Sequence, residues 1–302
     1  MVSAYVERTP RRISPRAVLA ALADRGLGSV PPHVLVLAGI VSVQIGASLA
    51  KLVFPIAGAV GVVTIRLVFA AVILLVAWRP SLHMTKQAWL SVALFGAVLG
   101  VMNVLFYESL DRIPLGVAVT VEFLGPLVVA LAGSRRWLDA VWALLAGGGV
   151  VLLTDGGGHV EWLGVLFAMG AAACWACYIL LSARVGAHTT GGGGLAIAMA
   201  IGGVLVAPFG IASAGTDLLN PVALAAGFGV ALLSSVVPYS VELEALRRIP
   251  PRIFGVLMSL EPAVGALCGL VVLGQSLHPL QWIAICLVVV ASVGASRASA
   301  TA

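Results

Sequence analysis

The 302-residue sequence predicts an all-α membrane protein, ten transmembrane helices arranged as two inverted five-helix repeats. Three observations lead there. Hydrophobic residues make up 61% of the chain and charged residues 10%, against roughly 45–50% and about 25% in soluble domains. The mean hydropathy is +1.12, and the apolar residues fall in runs of about 20, the length that crosses about 30 Å of hydrocarbon at 1.5 Å per residue. A shift of 136 residues lays one part of the chain over another: Glu108-Ser109-Leu110-Asp111-Arg112-Ile113-Pro114 falls over Glu244-Ala245-Leu246-Arg247-Arg248-Ile249-Pro250, and Pro126 over Pro262.

Residues 1–32 carry Arg8, Arg11, Arg12, Arg16 and Arg25 without an apolar run of secretory length, so they read as a basic cytoplasmic tail. The apolar runs predict helices near 34–54, 60–78, 88–107, 115–133 and 138–154, which form a first repeat over 33–154. Helices near 161–182, 194–213, 220–243, 252–273 and 279–296 form a second over 155–296, followed by a short cytoplasmic tail, 297–302. Polar, glycine or proline breaks separate them, among them Arg79-Pro80, Ile113-Pro114, Ser134-Arg135-Arg136, Asn220-Pro221, Pro250-Pro251 and His278-Pro279. An odd number of helices per repeat inverts the second half in the membrane, and in such folds the substrate site lies between the repeats near the midplane.

The net charge of +5 does not indicate a nucleic-acid partner, because the cations sit at the ends of apolar runs and not on a soluble module. With the N-terminus inside, the outer loops hold only Lys51 and Arg112, while the inner segments hold nearly all the other Lys and Arg. The positive-inside rule therefore places both termini in the cytoplasm of a multi-pass plasma-membrane protein. Cys174, Cys177, Cys268 and Cys286 all lie in apolar segments, which argues against a disulfide framework, a zinc site or any metal. Cys174 and Cys177 match a CxxC spacing but stand in mid-helix, where small packing residues are the simpler reading.

A charge inside the bilayer costs a few kcal/mol or more, so intramembrane ionisable groups are functional candidates. Arg66 and Glu122 lie about 9 and about 10 Å from the outer ends of their helices, and Glu261 about 13 Å from the inner end of its own, counted by helical rise. The repeat sets Glu122 over Met258 and Gly125 over Glu261, so the two acids differ by three positions, which keeps them on one helical face. Pro126 and Pro262 each remove the hydrogen bond to the carbonyl four residues back, at Glu122 and Met258, and unsatisfied backbone at membrane depth persists only beside protein or a wet cavity. Further polar candidates for the cavity wall are Gln44, Ser48, Asn103, Tyr107, Trp175, Tyr178, Tyr239 and Ser240. Lys51 and Glu108 read as outer-boundary residues, and Glu242 and Glu244 as inner-boundary residues reaching solvent. The competing structural reading is a fixed Arg66–Glu122 ion pair that only orients helices.

Such a cavity suits a zwitterion, its carboxylate near Arg66 and its ammonium near a glutamate. A carboxylate in an apolar cavity holds a proton readily, so proton and cationic group compete for one site, and competition of this kind gives antiport. An intramembrane enzyme needs a nucleophile and base or a metal constellation at one depth. No histidine lies inside a predicted helix core to serve one. No cofactor is implied.

At Gln44-Ile45-Gly46-Ala47-Ser48-Leu49-Ala50-Lys51, Glu122-Phe123-Leu124-Gly125-Pro126, Ala173-Cys174-Trp175-Ala176-Cys177-Tyr178-Ile179-Leu180, Pro238-Tyr239-Ser240-Val241-Glu242 and Phe254 to Ala263, the chain resembles EamA-type exporters of the drug/metabolite transporter superfamily. The resemblance runs from about residue 34 to 296. It implies a ten-helix inverted-repeat fold, export of small amino acids such as threonine and homoserine, and energisation by the proton gradient. A broader metabolite or drug exporter of the same superfamily is the alternative.

Overall fold

The computed structural model describes residues 30–132, 137–155, 160–189, 192–246 and 248–298. The described residues are helical throughout, with short turns between. Twelve α-helical segments follow in order: α1 Pro32–Trp78, α2 Lys86–Arg112, α3 Leu115–Glu122, α4 Leu124–Ala132, α5 Trp137–Asp155, α6 Trp162–His188, α7 Gly193–Ala214, α8 Pro221–Ala231, α9 Val237–Leu246, α10 Pro251–Met258, α11 Glu261–Leu273 and α12 Pro279–Ala298. Six spans are long and apolar enough to cross a membrane, and Ala140–Leu153, Pro221–Val236 and Pro279–Ala295 are shorter apolar helices.

The segment α1 is two helices, as the apolar runs at 34–54 and 60–78 predict, but the expected linker between them is one residue wide. Gly58 alone leaves helical geometry, at φ 66 and ψ 167. Positive φ costs an L-residue with a side chain about 1–2 kcal/mol, which explains glycine there. The two limbs fold back on each other: Ser234 packs its hydroxyl against Gly46 and its carbonyl accepts from Arg66, twenty residues further on. A straight helix would separate those residues by about 30 Å.

Two other predicted helices are each broken once, at matching positions. The 115–133 helix breaks at Phe123 (φ −65, ψ −11) and the 252–273 helix at Ser259 (φ −61, ψ −13). Each break lies three residues before a proline, Pro126 or Pro262, where the missing N–H leaves a turn of the ladder open. The entry residues match as well, Pro114 at φ −59, ψ 144 and Pro250 at φ −58, ψ 143. A π-helical turn, Leu232–Val236, joins α8 to α9.

The helices pack through small residues. A side chain added at Gly116 would stand 2.6 Å from Ala266 Cα, and one at Gly100 would stand 3.1 Å from Gly202 Cα. Close backbone approach of this kind is how helices associate where lipid offers no hydrophobic drive. Outward positions are apolar and open, such as Leu144 at 76% and Val271 at 80% exposure.

The bundle has two ends. One gathers Val30, Trp78, Gly192 and Arg248, as the Arg248 Nη1–Val30 O bond (3.0 Å) and the Gly192–Trp78 contact show. The other gathers Lys51, Gly58, Ile113, Leu115 and Gln275. There the Lys51 ammonium donates to the Leu110 carbonyl and, at 3.0 Å, to that of Ile113, while Gln275 Oε1 accepts from Leu115 N at 2.9 Å. Lys51 was expected to reach solvent; it is instead folded inward as the C-terminal cap of α2, because the last carbonyls of a helix lack partners and attract a cation. Glu108, assigned to the same boundary, binds Arg112, which also reaches Glu161 at 3.8 Å.

Candidate functional site

A cavity of about 620 Å³ lies inside the bundle. Its deep limit is set by Arg66, Tyr107 and Glu122, and it extends along the bundle to Ala130, Ser182, Glu242 and Phe254. Those latter residues lie within about one and a half helical turns of the Trp78–Arg248 end, whereas the opposite end is sealed by the Lys51 and Gln275 contacts.

Arg66, on the second limb of α1, is held by neutral oxygens. Its Nη1 donates to the Tyr107 hydroxyl at 3.0 Å and its Nη2 to the Ser234 carbonyl at 3.3 Å. The guanidinium also lies 5.4 Å from the Tyr107 ring centroid, and its Nε is buried without a partner. Tyr107 is fully buried and is itself braced by Phe54 and Phe106. The ion pair weighed from the sequence is not made: among the described residues, no carboxylate comes within 4.0 Å of Arg66. Arg66 and Glu122 instead border one cavity without pairing.

Glu122 is the last residue of α3, immediately before the break at Phe123, and it is 8% exposed, toward the cavity. Glu261 stands on the far side of the equivalent break, as the first residue of α11. Gln44 Nε2 donates to Glu261 Oε1 at 3.3 Å. Glu261 Oε2 and Gln44 Oε1 are both buried without a hydrogen-bond partner. Unpaired buried polar atoms cost about 1–3 kcal/mol each, so they persist where function or a ligand uses them.

Nine of the residues singled out from the sequence border the cavity: Arg66, Asn103, Tyr107, Glu122, Pro126, Trp175, Tyr178, Met258 and Glu261. Asn103 spends its amide N–H on the Leu99 carbonyl at 2.8 Å. Trp175 meets Phe123 edge to face at 5.7 Å, and Tyr178 packs on Phe95 at 4.9 Å. Gln44 and Ser48 stand behind the wall. Gln44 reaches the cavity only through Glu261, and Ser48 donates to the Gln44 carbonyl at 2.8 Å. Pro262 is buried and off the wall, its part being the break before it. The side chains of Tyr239 and Ser240 lie outside the described residues.

Among the polar wall residues, Glu242, Ser234, Ser182 and Ser292 escaped the sequence reading. Glu242 was assigned to the inner boundary, yet it borders the cavity. Its Oε1 stands 3.5 Å from where a side chain on Gly39 would begin; that missing side chain leaves room for the acid to turn inward. Ser234, whose carbonyl binds Arg66, sits in the π-helical turn. A signal for it existed, because Pro238 lacks the N–H that would bond the carbonyl four residues back, which is that of Ser234. The neighbouring Leu233 carbonyl accepts from Ser42 Oγ at 2.7 Å. The four cysteines are free, and Cys177 and Cys286 face outward, not into packing interfaces.

The chain is similar to known transporters. A model of the EamA-like transporter family matches residues 162–297. The threonine/homoserine exporter RhtA of Escherichia coli strain K12 is 43% identical over 269 residues, 88% of this chain and 91% of that protein. Its Salmonella typhimurium LT2 counterpart is 42% identical over the same shares. The transporter YwfM of Bacillus subtilis is 24% identical over 73% of this chain and 78% of its own length. One solved crystal structure superposes with a TM-score of 0.55 at 20% identity, covering 87% of this chain and 98% of that one, a likeness of fold.

Proposed function

Since the chain belongs to the EamA-like transporter family, we propose that it exports small amino acids of the threonine and homoserine type across the bacterial plasma membrane in exchange for protons. The observation that carries this reading is the guanidinium of Arg66, half-buried at the closed end of a cavity and held, among the described residues, by a hydroxyl and a carbonyl and by no carboxylate. A cation withdrawn from water without a counter-ion is costly, and the α-carboxylate of an amino acid supplies one with charge-assisted hydrogen bonds. The ammonium then falls among the carboxylates of Glu122 and Glu261, which border the same space. A proton on either acid removes the charge that attracts the ammonium. Proton and substrate therefore exclude each other, which couples outward substrate movement to inward proton movement.

The ten spans and the inverted repeat belong to the same proposal. The equal dihedrals at Pro114 and Pro250, and at Phe123 and Ser259, each pair 136 residues apart, support the repeat. Arg79, Lys86, Arg184 and Arg248 gather toward the open end of the bundle, which supports a cytoplasmic side there and cytoplasmic termini. A second reading, a broader metabolite or drug exporter, draws on the cavity volume of about 620 Å³, more than one small amino acid fills.

The test is growth of bacteria overproducing the protein on toxic concentrations of homoserine or threonine. The expected outcome is tolerance above that of control cells, lost on Arg66→Gln at equal membrane abundance. Tolerance to unrelated drugs with none to either amino acid would favour the second reading.

A further inference from the structure

The cavity holds a third acid, Glu242, that the exchange described above does not use. It projects from α9 beside Gly39, five residues nearer the open end along α1 than Gln44, which holds Glu261. By helical rise that separation is about 7–8 Å. Both acids border the cavity. Among the described residues no hydrogen bond or ion pair fixes the Glu242 carboxylate, whereas Glu261 is tethered by Gln44 and has one oxygen buried without a partner.

Among the described residues, the other ionisable groups facing this space are Arg66 on α1, Tyr107 on α2, Glu122 on α3 and Tyr178 on α6. Arg66 and Tyr107 are bonded to each other at the deep limit. Arg248, beyond α9, turns to the Val30 carbonyl. Among the described residues no cation therefore lies between Glu242 and Glu261 to neutralise both, and two bare carboxylates on one low-dielectric cavity are held less readily than one charge shared between them.

We infer that Glu242 is the proton exit of the exchanger, taking the proton from Glu261 and passing it to water at the open end of the cavity. The step rests on the antiport reading and balances simply. Glu261 gives its proton to water in the cavity and becomes the carboxylate, Glu242 takes that proton from the same water and becomes the neutral acid, and Glu242 then returns it to water at the open end. The total charge of the two acids and the water between them changes only in the last step, at the solvent-facing residue. Glu261 is left ionised for the incoming ammonium, so proton release and substrate binding occur on different side chains and need not compete for the same approach.

The experiment separates proton movement from substrate movement in proteoliposomes containing the full chain. One arm measures exchange of labelled homoserine against unlabelled homoserine at equal pH on both sides, which needs no proton transfer. The other measures homoserine accumulation driven by an acid lumen. Glu242→Gln is expected to keep exchange within about threefold of the wild type and to lose gradient-driven accumulation at least tenfold. Glu242→Asp, which still titrates, is expected to recover most of it. Gradient-driven accumulation unchanged in Glu242→Gln overturns the inference, as does an equal loss in both arms that Glu242→Asp shares, which would make Glu242 a binding or packing residue. A wild-type protein that exchanges homoserine but ignores the gradient removes the antiport reading and the relay with it. One that moves neither homoserine nor threonine removes the substrate reading instead, and the relay falls with the exchange it serves.

Discussion

At Arg66 the energetic question is how a guanidinium is kept inside an apolar bundle. Two neutral acceptors, Tyr107 Oη and the Ser234 carbonyl, satisfy part of its hydrogen-bonding capacity and leave its charge for a ligand. A hydrogen bond to a charged group contributes about 1.5–3 kcal/mol, so Tyr107→Phe should raise the KM for exported amino acid about tenfold or more with little change in fold. Arg66→Lys keeps the charge but not the planar fork, and should cost substrate affinity by a similar factor. Both are read from concentration dependence of uptake into inverted vesicles, and a KM unchanged in Tyr107→Phe would detach that hydroxyl from the site. Arg66, Glu122 and Glu261 could be picked out of the sequence because a charge in an apolar run is rare and costly. Glu242 could not, because it lies four residues from the end of α9, where a carboxylate ordinarily reaches water. Only the gap at Gly39, contributed by another helix, turns it inward.

Helix boundaries follow the same division. The apolar runs located most helix ends within a few residues, since lipid imposes both length and composition, but α2 runs on to Arg112 and α6 to His188, five and six residues past the predicted ends at 107 and 182. The internal breaks were legible at Pro126 and Pro262, where a missing N–H acts locally. The π-helical turn at 232–236 was less so, because its extra carbonyls are stabilised by Ser42 and Arg66 from α1, about 170 to 190 residues away. Packing of the elements makes a sharper prediction. Gly116→Val would drive a side chain into the Ala266 backbone at 2.6 Å, and overpacking of this kind costs about 1–3 kcal/mol. Gly147→Ala, with nothing within 4 Å of the added carbon, should be neutral or stabilise by up to about 1 kcal/mol through helix propensity. The thermal unfolding midpoint of detergent-solubilised Gly116→Val should therefore fall below those of the wild type and of Gly147→Ala, and equal midpoints would mean that α3 and α11 do not pack as described.

For the molecule as a whole, the account depends on a cavity closed at one end and reached from the other. The closed end is built from Gln275 receiving the Leu115 N–H and from Lys51 capping α2. The open end carries Arg79, Lys86, Arg184 and Arg248. Alkaline phosphatase, active only outside the cytoplasm, should be inactive when fused after residue 189 or 298 and active after residue 217. The reverse pattern would invert the proposed direction of export. The choice of amino acid was not contained in composition or spacing and comes from the family; the geometry contributes a cation and acids on one wall. The most direct measurement is accumulation of labelled homoserine in proteoliposomes with an acid lumen. The account predicts accumulation above that in protein-free liposomes, abolished when a protonophore collapses the gradient. Uptake equal to that in protein-free liposomes, or uptake that the protonophore leaves unchanged, would contradict it.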